Sequence, residues 1–285
     1  MSLVETISFE RIGLLGSQRG RTVVGALAAL GLLVGVAVAA VLLPDDGLRT
    51  NLADRSLAPS LHHLFGTDPL GRDMLVRTVK GLAVSLRVGL TAASFAALLA
   101  VALGILAALD RRLDAVVAAL IDLTLALPHL VLLILVSFAA GGGTRGVVVA
   151  IVVSHWPGLA RVVRAEVRQV LVADWVVVAR GLGRSRFDVA IRHVLPHVVP
   201  QALVGAILLF PHAILHEAGM TFLGFGLEPS LPAIGVLLAE SMRYLTAGFW
   251  WLGVLPGLSL LVMVLTFERV ASGVRLVLDP RRAQE

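Results

Sequence analysis

Long uncharged apolar runs decide what this chain can become. Residues 22–43 and 88–109 carry no charge at all. Residues 115–140 hold one acid, Asp122, and one Pro128–His129 step. Residues 146–160 stay apolar around His155 and Pro157, then turn basic at Arg161. Residues 194–216 have no formal charge and, past Glu217, continue apolar to Leu227; residues 244–267 are again uncharged. A helix crosses the hydrocarbon core with about 20 mostly apolar residues. In lipid, only helices and closed barrels satisfy their own backbone polar groups. Six such runs predict an all-α polytopic membrane protein with six transmembrane helices.

Composition agrees. The chain is 58% hydrophobic and only 15% charged, against roughly a quarter charged in soluble domains. That excludes an ordinary soluble enzyme and a disordered chain. It has no Cys, so neither a disulfide framework nor a thiolate metal site is available. The first run is longer than the usual ~7–15-residue core of a signal peptide. Its leader also carries Glu5 and Glu10. We read it as a retained first helix.

Lys and Arg set the expected orientation. With both termini in the cytoplasm, the inner segments hold sixteen of the 24 basic residues and the outer segments eight. The net charge of +5 then reflects topology and anionic lipid, not nucleic acid, because no basic run is interleaved with aromatics. The expected layout is a cytoplasmic segment at 1–21, a first transmembrane helix at 22–43 and an outer loop at 44–87. A five-helix core follows at 88–275, with an inner loop at 174–193, and a cytoplasmic tail ends the chain at 276–285.

The inner loop reads as helix, turn, helix. Gly181 and Gly183 break the helical pattern. Phe187, Ala190 and Ile191 recur at helical spacing, so one apolar face needs a partner surface. Two partners fit the pattern equally: a groove in a cytoplasmic protein or the lipid interface. His193, Pro196 and Pro200 mark the expected return to the membrane.

The stretch 179–200, with Gly183 followed ten residues later by His193, Leu195 and Pro196, resembles the coupling loop of ATP-binding cassette (ABC) importer permeases. In that family the loop sits in a cleft of the ATP-binding subunit. The resemblance therefore implies coupling roles for Ala179, Gly183, Phe187, His193 and Pro196. The family pattern opens with Glu-Ala-Ala, where this chain has Val177, Val178 and Ala179. The outer-loop motif, with Gly66, Asp68, Gly71, Arg72 and Asp73, is similar to that of the peptide and nickel branch, in its second permease subunit. Its residues are turn formers, and Arg72 can pair with Asp68 or Asp73.

The resemblance covers about residues 20–280. It implies the six-helix type I importer permease fold in a bacterial inner membrane. It also implies a sister permease forming a heterodimer, two cytoplasmic ATP-binding subunits that hold ATP and Mg, and an extracytoplasmic binding protein. The chain itself is expected to bind no cofactor. A P-loop needs Gly-Lys-Ser/Thr, and the only lysine, Lys80, is followed by Gly81.

Ionisable residues inside a membrane are costly and mark functional candidates. His212 and His216 are spaced i, i+4, so they share a helix face, and Met220 extends the stripe. Imidazole and thioether suit Ni, Cu, Zn and Fe, which makes His212 and His216 candidates for transient metal contact. Spacing alone, with two His and no third strong ligand, favours hydrogen bonds to neighbouring helices. The segment 212–226, with Gly219 and Met220, resembles nickel permeases, as do Ser154, His155 and Trp156. Glu217 instead resembles the peptide type. Nickel or a metal chelate is therefore the expected cargo and peptide the alternative, with His155, His212, His216, Glu217 and Met220 on the path. Asp122 is expected to pair with Arg111 or Arg112, or to line the path. An intramembrane metalloprotease needs His-Glu-x-x-His, and the second His is missing after His216 and Glu217.

Overall fold

The computed structural model describes residues 18–278. Expectations for residues 1–17 and 279–285 lie outside them. The described chain is helical. Helix α1 is Gln18–Leu42, α2 Met74–Leu109, α3 Arg111–Ala126, α4 His129–Ala139 and α5 Gly143–Leu171. Two short helices follow, α6 Asp174–Gly181 and α7 Arg186–Val189. A wide π turn, Ala190–Val194, leads without a break into α8 Leu195–Phe222. Helices α9 Ile234–Ser241 and α10 Trp251–Leu278 complete the set. Among the described residues five helices are long and apolar enough to cross a membrane, or six if α3 and α4, bent by 102° at their junction, count as one span.

The bundle is organised around α2. Its buried face is a row of small residues: Gly89, Ala93, Ala96, Ala100, Gly104 and Ala107. Small side chains let helix backbones approach closely where no hydrophobic force drives association. The fit is tight. A Cβ placed at Gly89 would collide with Ile214 of α8, and one at Gly104 with Val163 of α5. Helix α2 accordingly packs most extensively on α5 and α8, α4 packs on α5, and α1 packs on α10 at the periphery. At one end of α2, Val163, Val167, Val176, Val189 and Val198 form an apolar cluster that holds the short helices. At the other end, Leu82, Ile214, Leu237 and Leu252 knit α2 to α8, α9 and α10.

The structure corrects several sequence expectations. The loop between α1 and α2 ends at residue 73, not 87. Asp73 caps α2 by accepting from the Leu75 and Val76 N–H groups, and the helix then runs 36 residues, about 54 Å. An apolar count misses its first turns because Arg77, Lys80 and Arg87 interrupt the run. The third span is not continuous. Pro128 sits at its break, where a proline disfavours helix at the residue before it. At the expected return to the membrane, 193–200, the chain is already helical. The wide turn precedes Pro196, whose ring in a regular helix would strike the carbonyl four residues back. The Leu195 N–H reaches the Ala190 carbonyl instead, so one helical run continues through Pro196, Pro200 and Pro211. The last span begins at Trp251 rather than 244, and α9 was not anticipated.

Because α2 has no spare room at Gly104, Gly104→Leu is expected to destabilise the purified chain by about 1–3 kcal/mol through overpacking. A fall in thermal stability in detergent, absent in Gly25→Leu where a Cβ meets open space, checks this.

Candidate functional site

Three places along α2 carry the candidate residues. At its N-terminal end, the loop motif folds around a buried carboxylate. Asp68 is 2% exposed. One of its oxygens accepts the backbone N–H groups of Leu70 and Arg72, both at 2.9 Å. The other accepts Arg72 Nε at 2.6 Å and Arg77 Nη1 at 2.7 Å. Arg77 is itself buried and donates through Nη2 to Glu240 of α9 at 2.9 Å. The loop, α2 and α9 are thus stapled by one ion network. Gly71 is required here, since its φ is +73° and a Cβ would run into the Asn51 carbonyl. The Gly66 carbonyl accepts the Met74 N–H at 3.0 Å. Of the two partners expected for Arg72, the structure selects Asp68. Asp73 is occupied with its cap and with His63 Nδ1 at 2.8 Å. Nearby, Lys80 bonds Asp45, which lowers the Asp45 pKa, first through that hydrogen bond and then through the lysine's charge. The sequence reading missed Arg77 and Glu240. Arg77 falls one helical turn past the motif, and Glu240 is remote in sequence.

At the opposite end of α2, the short helices stand where a coupling loop is expected. Helix α6 ends in a Schellman motif. The Arg184 N–H bonds the Ala179 carbonyl at 3.2 Å and the Gly183 N–H bonds the Arg180 carbonyl at 2.9 Å. Gly183 takes φ +86°, the left-handed conformation that such a cap places on glycine. Val176 and Val189 point into the bundle and are wholly buried. Arg186 Nη1 reaches the Leu109 carbonyl at 3.1 Å and Asp110 at 3.0 Å, fixing α7 to the end of α2. The outer side of this platform is apolar: Trp175, Val178, Leu182 and Phe187 are exposed, Leu182 at 81% and Phe187 at 67%. Of the expected apolar face, Ala190 turns out to be buried while Phe187 and Ile191 are exposed. His193 lies beside Trp175, with ring centroids 5.7 Å apart, and Pro196 is exposed.

Between these ends the histidines regroup. His129, at the start of α4, meets His155 of α5 and His216 of α8. Their ring centroids lie 4.5–4.9 Å apart, edge to face. His155 is buried and the other two are half-buried. His212 is exposed and is not part of this trio. Its carbonyl accepts His216 Nδ1 at 2.7 Å. Sequence spacing had joined His216 to His212 along one helix, whereas packing joins it to two other helices. Met220 and Glu217 are both 0% exposed. Met220 packs among Leu133, Val147 and Ala213. Glu217 accepts from Thr221 Oγ1 at 3.0 Å, and the same hydroxyl accepts the Leu227 N–H at 3.1 Å. Both side chains are enclosed within the bundle, and Glu217 Oε2 is buried without a hydrogen-bond partner. Asp122 pairs with Arg161 at 3.2 Å, not with Arg111 or Arg112, on a surface where both partners are exposed.

Removing one partner from a buried ion network costs about 3–5 kcal/mol, because it strands the others. Asp68→Ala is therefore expected to lower the chain's stability by that amount, and a melting curve of the purified protein measures it.

Comparison with known proteins places these features. Residues 100–284 match the family model described as the inner membrane component of binding-protein-dependent transport systems. A putative peptide transport system permease protein of Brucella abortus is 37% identical over 258 residues, covering 89% of this chain and 87% of its own length. A dipeptide transport system permease protein of Bacillus subtilis is 32% identical, covering 90% of this chain and 82% of its own. A di/tripeptide transport system permease protein of Pseudomonas aeruginosa is 36% identical, covering 76% and 72%. The chain therefore belongs to this family: it is an inner-membrane, multi-pass permease of a binding-protein-dependent ABC transporter, and not itself an ATPase.

Proposed function

We propose that this chain is one of two permeases of an ATP-driven importer of short peptides. Its partners are a sister permease, two cytoplasmic ATP-binding subunits and an extracytoplasmic binding protein. The observation that carries the cargo is the similarity, over most of the chain, to relatives named for peptide, dipeptide and di/tripeptide transport. Nickel gives way as the preferred cargo for two reasons. Its supporting stripe was His212, His216 and Met220, yet Met220 is buried among aliphatic side chains and His212 stands apart from the three clustered rings. The relatives named above also carry peptide names.

In this reading the platform of α6 and α7 docks into the ATP-binding subunit through Trp175, Val178, Leu182 and Phe187. Its rigid attachment to α2 through Arg186 passes motion into the bundle. ATP-driven closure of the two subunits then switches access from one side to the other. The Asp68 network braces the end that receives the binding protein.

Uptake of radiolabelled dipeptide and of radioactive nickel in a strain lacking only this chain tests the cargo. Loss of dipeptide uptake with nickel uptake intact is the expected result; the reverse overturns the reading. Leu182→Glu with Phe187→Glu places two charges in the proposed apolar dock. Hot-spot contacts each carry about 2 kcal/mol or more. The double variant is expected to reach the membrane at normal levels and to lose uptake by about ten-fold or more. Co-purification of the ATP-binding subunit should fall in step.

A further inference from the structure

We propose that His129, His155 and His216 form a binding site for one divalent transition-metal ion of the Zn, Ni and Co class. The ion joins the bent span to α5 and α8. The site does not depend on the peptide reading, because it concerns what this chain holds rather than what it passes.

The ring nitrogens carry the case. Each residue offers one nitrogen, and the three lie within 4.8 Å of one another. Tetrahedral Zn with nitrogen ligands at ~2.0–2.1 Å sets its donors about 3.3 Å apart, so the rings need draw in by no more than roughly 1.5 Å. One of the rings, His155, is already oriented as metal ligands are. A ligating histidine donates its second ring N–H to a carbonyl, which fixes the tautomer and frees the other nitrogen. His155 Nδ1 lies 3.0 Å from the Ile151 carbonyl, and His216 Nδ1 lies 2.7 Å from the His212 carbonyl. Each carbonyl sits one turn back on the same helix. Donation to the Ile151 carbonyl leaves His155 Nε2 with its lone pair, and that nitrogen already lies 3.3 Å from His216 Nδ1, the spacing of two donors on one tetrahedral ion. The third ring supplies an independent sign: His129 Nε2 is buried without any hydrogen-bond partner. A buried polar atom left unpaired costs free energy, and a metal ion is one partner that relieves it.

The donor set also selects the ion. Neutral imidazole suits Zn, Ni, Cu and Co, while Mg and Ca demand oxygen ligands. Glu217 does not join the site, since its carboxylate is turned to Thr221. Three protein ligands leave a fourth position open, as in sites that exchange a ligand rather than closed structural ones. His129 stands directly after Pro128 at the break of the bent span. The ion therefore holds that break against α5 and α8.

The test uses the full chain, purified in detergent through a tag free of histidine and titrated with Co²⁺ and Zn²⁺. One Co²⁺ per chain with the visible absorption of a tetrahedral site, displaced by Zn²⁺, is expected. His129→Ala lies at a half-buried position and should lower Co²⁺ affinity more than about 100-fold, since loss of a mere supporting partner already costs 10–100-fold. His155→Gln should do the same with an unchanged size-exclusion profile, while His212→Ala retains the site. Absence of stoichiometric binding by the unaltered chain overturns the proposal, as does equal binding by the His129→Ala chain.

Discussion

Close approach of α2 to α5 and α8, through a row of glycines and alanines, sets the spacing on which the other parts depend. In lipid the tails are as apolar as the side chains, so burial alone cannot hold helices together. Contact must come from backbones packed closely over a long distance. Gly89 against Ile214 and Gly104 against Val163 fix α2 at two heights. Everything placed at its ends inherits that rigidity: the Asp68 network at one, the short-helix platform at the other.

The two ends solve different physical problems. At the loop end, turns and backbone out of regular helix are held by charge. Asp68 gathers two backbone N–H groups and two guanidinium groups, and Arg77 hands the network on to α9. At the platform end, valines anchor the short helices inward, while large apolar side chains are left facing out. A surface of that kind calls for a partner, a protein groove or the lipid interface, rather than water. Arg186 bonds the terminus of α2 itself. The histidine trio lies between, where the bent span meets two straight ones.

Much of the architecture was legible because lipid imposes simple rules. Long apolar runs revealed the five long membrane-length helices, and the glycine pair revealed the turn between α6 and α7. Charge hid the start of α2, where an amphipathic turn protrudes beyond the apolar run. The bend at Pro128 was visible as a proline but not as a 102° break, since a proline alone does not set an angle. Within the sites, Asp68 and Gly71 could be read as local turn chemistry. Arg77 could not, because its partner Glu240 is brought near only when α9 folds back.

The sequence by itself determined the long apolar helices, the lack of any ATPase motif and the position of the turn between α6 and α7. Each follows from local rules of length, composition and spacing. Tertiary structure alone decided the company of the ionisable residues. Periodicity relates residues on one helix, so it joined His212, His216 and Met220. Packing relates residues across helices, and it put Met220 in the core, left His212 outside, and set His216 against His129 and His155.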